Sequence, residues 1–391
     1  MFSLWRNKRW PIALDIGTDS VKMLQMQKVG GAVGVCACAR WRFPESARTD
    51  PAQRRRLAVE AVRSMLREND FRGRKVVSSL SCSQISIKNV RLPHMSDDEL
   101  VRAIQHEAKD RFSFEVSPDQ LGYLNAGQVR QGTESRDEII LMAAPREVVE
   151  DHLGMLSEMG LAAEHVEAEP VAVFRVFERF LRRKADEQAV SVVVDIGHSA
   201  TRVVVARGRQ IVFIKCIDIA GRRLTEAVAK QLNLSFEEAR DLRVRAMRGR
   251  PEDASTPAPE TGAPASGDDP NSLNWTIHDA IRSETDALSR EIALCLRYCS
   301  VTFRGLRPDR VNLTGGEAYD PALVQLLGEQ LGVECVVAQP LRGIDVSPVQ
   351  FGGDRRGMLA EWAVCAGLGM RNIGLPPNAQ EEENGQGRLS A

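Results

Sequence analysis

The sequence predicts an α/β protein with two related lobes, each built around a strand, a short polar turn and a second strand. The main observation is an internal repeat: residues 13–22 read ALDIGTDSVK, and residues 194–202 read VDIGHSATR. Asp15 and Asp195 occupy the same place in the two copies. The likeness extends over roughly 30 residues in each half, which indicates a duplicated core. A chain of 391 residues is also too long for one ordinary core and is long enough for two or three domains.

The composition is that of a soluble globular protein, with 43% hydrophobic and 27% charged residues. The formal net charge of −1 argues against a nucleic-acid partner, which usually requires a basic surface. No stretch reaches the roughly 18 apolar residues that span a membrane, and the apolar run at 11–14 is interrupted too early for a signal peptide. We therefore expect a cytosolic protein. Residues 1–10 mix basic and aromatic side chains, which fits either contact with an anionic membrane surface or a frayed terminus.

The eight cysteines lack the C-x-x-C spacing of a zinc site. Cys36 and Cys38 share one face of a predicted strand, and Cys295 and Cys299 share one face of a predicted helix. Both pairs fit small core residues better than metal ligands. We expect the cysteines to be reduced, structural thiols.

Hydrophobic periodicity and capping signals place the elements of the first half. They are strands from Ile12, over 21–28 and from the Gly30-Gly31 turn to about Phe43, a helix over 51–69, strands at 76–80 and 85–90, a helix opened by the capping box at 96–99, a strand at 137–144, a helix after Pro145 that stops at Gly160, and a helix over 171–182. The piece from about 88 to 166 has its own strands and helices, as expected for an inserted subdomain.

The second half repeats this plan. Its predicted elements are strands at 192–197, 201–206 and 211–219, helices at 224–232, after the capping box at 235–238 and over 277–301, a strand at 310–313, a helix to Leu331, a strand at 335–338 and a last helix near 358–370. Residues 249–271 have hardly any aliphatic side chains and are predicted to be a disordered insertion.

The polar turns of the two copies are typical of phosphate-binding loops, because glycine allows close backbone approach and consecutive N–H groups and hydroxyls can hold phosphate oxygens. A single Asp-Ile-Gly turn is more often an ordinary turn after a strand, whereas two copies with matched flanks favour a phosphate site. The candidate phosphate-binding residues are Gly17, Thr18, Asp19, Ser20 and Lys22 in the first copy and Gly197, His198, Ser199 and Thr201 in the second.

Asp15 and Asp195 have a different predicted role. A carboxylate does not approach an anionic phosphate directly, so we expect the two aspartates to hold Mg²⁺, through water. Lys22 would neutralise phosphate charge unless its strand directs it elsewhere. His198 would either donate to a phosphate or face solvent.

A third element follows the strand at 310–313. Gly315, Gly316 and Glu317 lie between this strand and a predicted helix, where a base or ribose could rest against bare backbone at a helix N-terminus. Taken alone, this is an ordinary strand-to-helix turn. The chain contains neither a G-x-x-x-x-G-K-[ST] nor a G-x-G-x-x-G pattern, so no P-loop or Rossmann site competes for a nucleotide. The combination of two phosphate loops and one adenosine-type loop predicts an ATP site.

With these three elements the chain resembles the actin-like ATPase superfamily, and within it the PilM-type proteins of type IV pilus and type II secretion assembly. The two DIG turns are similar to the phosphate-1 and phosphate-2 motifs, and residues 313–318 to the adenosine motif. Residues 92–108 and 143–161 are similar to the inserted subdomain of PilM and of its cell-division relative FtsA. Residues 219–239 and the ending at 366–371 are also similar to PilM.

The resemblance implies an actin-like, ribonuclease H-like fold with two lobes and an inserted subdomain of the FtsA/PilM type. The expected boundaries are 1–10 for a flexible N-terminal segment, 11–87 with 167–189 for the first lobe, 88–166 for the inserted subdomain, 190–371 for the second lobe and 372–391 for a polar flexible tail.

The function that the resemblance implies is that of an ATP-binding scaffold, cytoplasmic and peripheral to the inner membrane. Such a protein would hold a short cytoplasmic N-terminal peptide of a PilN-like membrane protein in a nucleotide-dependent way and contact other platform components. Its own membrane contact would be indirect, and self-association stays open. No base for attacking water stands out in the sequence, so we expect at most weak ATPase activity.

Three departures from the family and two alternatives are relevant. His198 and Ala220 stand where the family usually has a smaller residue and a glycine, and Arg240 stands where relatives carry an acidic residue near the ribose, so the ribose contact is unassigned.

An FtsA-like filament-forming division protein is one alternative, but the acidic tail offers no amphipathic membrane helix. A small-molecule kinase is the other, but no sugar-binding loop or catalytic carboxylate is evident in the first half.

Overall fold

The computed structural model describes residues 8–29, 31–47, 50–248, 270–303, 305, 307–352 and 357–373. The strands, in chain order, are β1 (Lys8–Arg9), β2 (Ile12–Ile16), β3 (Ser20–Val29), β4 (Ala32–Arg42), β5 (Lys75–Leu80), β6 (Ser86–Pro93), β7 (Leu121–Gln131), β8 (Glu134–Ala143), β9 (Ala162–Ala168), β10 (Val190–Ile196), β11 (Thr201–Arg207), β12 (Gln210–Ile217), β13 (Arg310–Thr314) and β14 (Glu334–Val337). The α-helices are α1 (Pro51–Glu68), α2 (Asp97–Arg111), α3 (Arg146–Glu158), α4 (Glu169–Glu178), α5 (Gly221–Leu232), α6 (Phe236–Arg248), α7 (Pro270–Thr302), α8 (Pro321–Leu331) and α9 (Ala363–Gly369).

Two of the three sheets in the described residues share one topology, which confirms the predicted duplication. The first contains the order β4-β3-β2-β5-β9, with β1 as an additional partner of β3. The second has the order β12-β11-β10-β13-β14. In each, three antiparallel strands precede a parallel pairing, of β2 with β5 and of β10 with β13. The apolar run at 192–194 is fully buried, as expected for a central strand covered on both faces.

The third sheet has the order β6-β8-β7 and lies between β5 and β9 in the chain. One of its faces packs against α2, where Leu100 and Ile104 meet Ile139 and Leu141. The capping box of α2 forms as predicted, with Ser96 and Glu99 bonded to each other. The opposite face contributes Ile140 and Met142 to a core cluster that contains residues of both halves, so both faces of this inserted sheet carry buried residues.

Two helices join the halves of the molecule. The chain leaves the first sheet through α4. Near its other end, α9 packs against β2 and β3 of the first sheet. A Cβ added to Gly369 of α9 would contact Leu24 of β3. The helices cross at Gly367, where an added Cβ would lie 1.8 Å from the carbonyl oxygen of Ala172. Arg175 on α4 donates to the Gly367 carbonyl oxygen at 3.0 Å. The two connections between the lobes therefore meet at one close backbone contact.

Several predicted elements differ from the observed ones. Lys8–Arg9 is paired with β3 and Trp10 is buried, so the prediction of a flexible segment is wrong for residues 8–10, and residues 1–7 lie outside the described residues. The long strand β7 and the strand β9 were not predicted. The predicted last helix is divided into a 3-10 helix at Ala360–Trp362 and α9, after Leu359 takes a left-handed φ of 53°. Most of the predicted insertion at 249–271 and of the predicted tail at 372–391 lies outside the described residues.

The expectation of reduced thiols is wrong for one pair. Cys82 and Cys216 form a disulfide with their Cα atoms 6.1 Å apart. The sequence drew attention only to cysteines close together in the chain, whereas these two are separated by 134 positions. Cys295 and Cys299 are free and buried, as predicted. No described helix is long and apolar enough to cross a membrane.

Candidate functional site

A cavity of about 410 Å³ lies between the two matched sheets. It is lined by both DIG turns, by the Gly315-Gly316 turn and by parts of α1, α3 and α6. The structure brings thirteen of the fourteen predicted nucleotide and metal residues to this wall, and the exception is Thr201. Thr201 does not line it, because its buried hydroxyl donates to the Ile219 carbonyl oxygen at 2.6 Å.

The two turns have the same local geometry. The Gly17 N–H donates to the Ser20 carbonyl oxygen and the Gly197 N–H donates to the Ala200 carbonyl oxygen, each at 3.1 Å. The turns also meet, because the Thr18 hydroxyl donates to the Ser199 Oγ at 3.0 Å. The duplicated loops therefore face each other across one cleft.

Each predicted magnesium-binding aspartate forms an ion pair with the next strand. Asp15 Oδ2 lies 2.9 Å from Lys22 Nζ, and Asp195 Oδ2 lies 2.6 Å from Arg202 Nη1. Both pairs are directly opposite residues of antiparallel strands, which is the same register in both copies. Lys22 thus reaches the cleft with its charge already paired to Asp15.

Glu169 is a site residue that the sequence did not reveal. It opens α4, is 2% exposed and lines the cavity. Its Oε2 accepts from Arg202 Nε at 2.7 Å and from the Cys82 N–H at 3.3 Å. Burial raises the pKa of Glu169, Arg202 lowers it, and the Asp15 and Asp195 carboxylates raise it further. A buried carboxyl of this kind in a cleft is a candidate proton acceptor.

Arg202 connects the two lobes electrostatically. Burial disfavours its charge, but the carboxylates of Glu169 and Asp195 outweigh burial and raise its pKa. Glu169 belongs to the first half of the chain and Asp195 to the second. The guanidinium therefore bridges the lobes at the end of the cleft that the two DIG turns form.

The Gly315-Gly316 turn lies against the second DIG turn. Gly315 has a φ of 92°, and an added Cβ would lie 2.3 Å from the Ile196 carbonyl oxygen. Only glycine fits this position without a shift of the backbone. The helix predicted to follow directly is a 3-10 helix at Gly316–Tyr319, and α8 begins only at Pro321.

Glu317 belongs to a buried ionic cluster. Its Oε2 lies 2.6 Å from Nη2 of Arg243, a residue of α6 that the sequence did not single out. Arg243 is 3% exposed and also donates to the Thr225 hydroxyl at 3.0 Å. Arg240, one turn earlier on α6, lines the cavity as well. This end of the cleft is thus formed by α6 and the Gly315-Gly316 turn.

His152 on α3 gives the cavity wall a pH dependence. It is 3% exposed and forms a 2.8 Å hydrogen bond with the Ser78 hydroxyl. Burial lowers the pKa of His152 to about 4, with a smaller opposing effect of Asp151. The folded protein therefore holds this ring neutral at pH values where the unfolded chain would protonate it.

We expect the free energy of unfolding to decrease as the pH falls from 7.5 to 4.5. The unfolded chain binds a proton at His152 from about pH 6.5 downwards, whereas the folded protein resists it until about pH 4. The loss reaches at most about 3 kcal/mol for this group. Urea unfolding at several pH values checks this. His152→Gln should flatten the dependence, and the exposed His106→Gln should leave it unchanged; equal slopes for both variants would contradict the assignment.

Two matched sheets around a cleft with duplicated turns define an actin-like ATPase fold. The family model for the type IV pilus assembly protein PilM matches residues 13–256, and the chain belongs to that family. The model for the cell division protein FtsA matches residues 192–349.

Solved structures show the same fold. The protein of a PilM-PilN type IV pilus biogenesis complex is 23% identical, with a TM-score of 0.73 over 93% of this chain and 99% of that chain. The ethanolamine utilization protein EutJ from Carboxydothermus hydrogenoformans is 14% identical, with a TM-score of 0.51 over 93% of this chain and 89% of that chain.

Proposed function

We propose that this protein binds Mg²⁺-ATP in the cleft and acts as a cytoplasmic scaffold of a type IV pilus at the inner membrane. The observation that carries the proposal is the meeting of the two DIG turns at the Thr18–Ser199 hydrogen bond. Two loops with the same N–H geometry, facing one cavity, offer donors to both sides of a phosphate chain. Predicted phosphate-binding residues, including Gly17, Ser20, Gly197 and His198, belong to these loops.

Buried polar atoms on the cavity wall support a polar ligand. The Ser79 hydroxyl and the Arg240 Nε are buried and have no hydrogen-bond partner among the described residues. Buried polar atoms normally have partners, and both residues line the cavity. Ser79 follows Ser78, the partner of Leu14 on β2, near the end of β5, and Arg240 lies on α6. A nucleotide that reaches along the cleft would meet both.

The acidic residues fit magnesium bound together with phosphates. Mg²⁺ usually keeps several waters and takes one or two carboxylates in addition to phosphate oxygens. Asp15 and Asp195 are each 3% exposed, line the cavity and are bonded to cations through Oδ2. They would hold the ion through water, and the ion would neutralise phosphate charge. Glu169 would accept the proton of a water molecule, but its pairing with Arg202 would make it a weak base, so we expect slow turnover at most.

The proposed partner is a short N-terminal peptide of a PilN-like inner-membrane protein. It rests on membership of the PilM family and on the PilM-PilN complex whose fold this chain shares. Nucleotide would act on the partner through the lobes: if it binds one arrangement of the lobes better than another, it shifts the surface offered to the peptide. The FtsA match favours a filament-forming alternative, which sedimentation with and without Mg²⁺-ATP distinguishes.

The test is a double variant, Asp15→Asn with Asp195→Asn, which keeps the size of both side chains. We expect it to weaken Mg²⁺-ATP binding in calorimetry by at least about tenfold, or 1.4 kcal/mol. The same protein should lose the ATP-dependent part of its binding to a PilN-like N-terminal peptide, measured by fluorescence anisotropy.

The matched control is Asp98→Asn with Asp110→Asn on the exposed face of α2, which should bind ATP and peptide like the parent. Unchanged ATP binding by the Asp15 and Asp195 variant would refute the two-loop site. Normal ATP binding by the parent without any peptide binding would refute the scaffold role alone.

A further inference from the structure

The disulfide joins the two lobes beside the cleft. Cys82 lies in the turn at 81–84 that follows β5 of the first sheet, and Cys216 lies on β12, the edge strand of the second sheet. Apart from this bond, the covalent chain connects the lobes only through the segments that carry α4 and α9 in the described residues. The disulfide is thus a third covalent connection between the lobes, and its two cysteines are 134 positions apart in sequence.

The turn held by the disulfide is part of the cavity wall. Ser81, Ser83 and Gln84 all line the cavity. The turn is closed on itself, because Gln84 Oε1 accepts from both the N–H and the hydroxyl of Ser81 at 2.9 Å. The Cys82 N–H donates to Glu169. A change at Cys82 therefore acts on the wall next to the end that the two DIG turns form.

At its other end the disulfide adjoins the ionic bridge between the lobes. Cys216 is the direct cross-strand partner of Arg202, whose guanidinium bonds Glu169 and Asp195. The disulfide and the Glu169–Arg202 ion pair consequently connect the same two walls side by side. Opening the cleft at this place requires the disulfide to be broken as well as the ion pair.

The other described cysteines have environments that disfavour reaction. Burial raises the pKa of Cys38 and of Cys299 to about 12 and that of Cys295 and of Cys335 to about 11. The thiolate is the reactive form, so these thiols exchange poorly near neutral pH. The pair at 82 and 216 is the place where thiol chemistry would alter the cleft.

We propose that Cys82 and Cys216 are a reversible redox site that locks the two lobes when oxidised and lets the cleft open when reduced. The reactant is a dithiol, either a small molecule or a protein. One of its thiolates attacks a sulfur of the disulfide, forming a mixed disulfide and releasing the other cysteine as a thiolate. The second thiol of the reactant then displaces the first cysteine. Two electrons and two protons pass to Cys82 and Cys216, and the dithiol becomes a disulfide.

The consequence for nucleotide rests on the proposed ATP site, whereas the effect on lobe opening does not. In the oxidised protein the turn at 81–84 cannot move away from β12, so nucleotide held between the lobes leaves slowly. In the reduced protein the ion pair of Glu169 with Arg202 still connects these walls, but the covalent bond does not. We expect the dissociation rate of a fluorescent ADP analogue to increase on the order of tenfold on reduction, within the usual range of coupling between sites.

The experiment uses the full chain, poised with reduced or oxidised dithiothreitol. Alkylation followed by peptide mass spectrometry should label Cys82 and Cys216 only in the reduced protein. Stopped-flow dissociation of the ADP analogue and hydrogen exchange of the turn at 81–84 and of β12 are measured in both states. Both should be faster after reduction. Cys82→Ser and Cys216→Ser should behave like the reduced parent in either condition, and Cys335→Ser should keep the difference.

The outcomes separate the two proposals. Complete labelling of Cys82 and Cys216 in both conditions would show that the disulfide does not form and would overturn the redox site. A disulfide that forms without any change in hydrogen exchange would also overturn it. Faster exchange after reduction in a protein that binds no nucleotide in either state would support the lock and refute the ATP site.

Discussion

The substitution Gly367→Ala is expected to lower the free energy of unfolding by about 3 kcal/mol, the upper part of the range for overpacking. The added methyl group would lie 1.8 Å from the Ala172 carbonyl oxygen, and 2.5 Å from its carbonyl carbon. Both neighbours are backbone atoms of α4, so no side chain can rotate to make room. The helices must separate, which weakens the packing that joins the lobes.

The measurement is urea unfolding of the variant and its parent, followed by circular dichroism. Gly328→Ala is a matched control, because Gly328 also lies in a helix but its added Cβ would make ordinary contacts at 3.7 Å or more. That variant should be neutral or more stable by up to about 1 kcal/mol, since alanine favours the helix. Similar unfolding midpoints for the two variants would contradict the close crossing of α4 and α9.

The duplicated fold was predictable because its signals are local. The two DIG turns, the capping boxes and the apolar runs lie within short stretches of chain, and the observed sheets follow them in the same order. The repeat also explains the one predicted residue that does not reach the cavity. Thr201 corresponds to Val21 of the first copy, and both positions are fully buried, so the strand directs this side chain inward.

Glu169 was missed because the strand before it was missed. β9 carries Glu164, His165 and Glu167, and such a polar composition is not typical of a strand. In the fold, Glu167 is buried and bonded to Arg175 on α4 and to Arg371, which compensates its charge. Arg371 lies 204 positions from Glu167 in sequence, and such a partner cannot be inferred from periodicity.

The same reason applies to Arg243 and to the disulfide. Arg243 bonds Glu317 across 74 positions, and Cys82 bonds Cys216 across 134. A helix pattern shows that a residue faces inward but not which charge or thiol it will meet. Sequence therefore predicted the backbone loops of the candidate site better than the ionic contacts between its walls.

Arg202→Met is the second substitution with a large expected effect. It leaves the buried carboxylates of Glu169 and Asp195 without the guanidinium that lies between them, and removing one partner of a buried ion pair costs about 3–5 kcal/mol. Lys22→Met, which removes a cation bonded to one carboxylate in the first copy, should cost less. Arg222→Met removes an exposed pair with Glu226 and should change stability by at most about 1 kcal/mol.

The pH dependence of the stability that Arg202→Met loses identifies the cause of the loss. Burial already raises the folded-state pKa of Glu169 above its unfolded value while Arg202 lowers it, so removal of the guanidinium raises this pKa further. A carboxyl group with a raised folded-state pKa favours the folded protein at low pH. This contribution to the free energy of unfolding is lost as the pH rises through the folded-state pKa. The deficit measured by urea unfolding should therefore be smaller at pH 5 than at pH 7.5, and Glu169→Gln should recover part of it in the double variant. A deficit that is constant with pH and additive in the double variant would instead indicate lost packing, because an uncompensated buried charge must respond to protonation or removal.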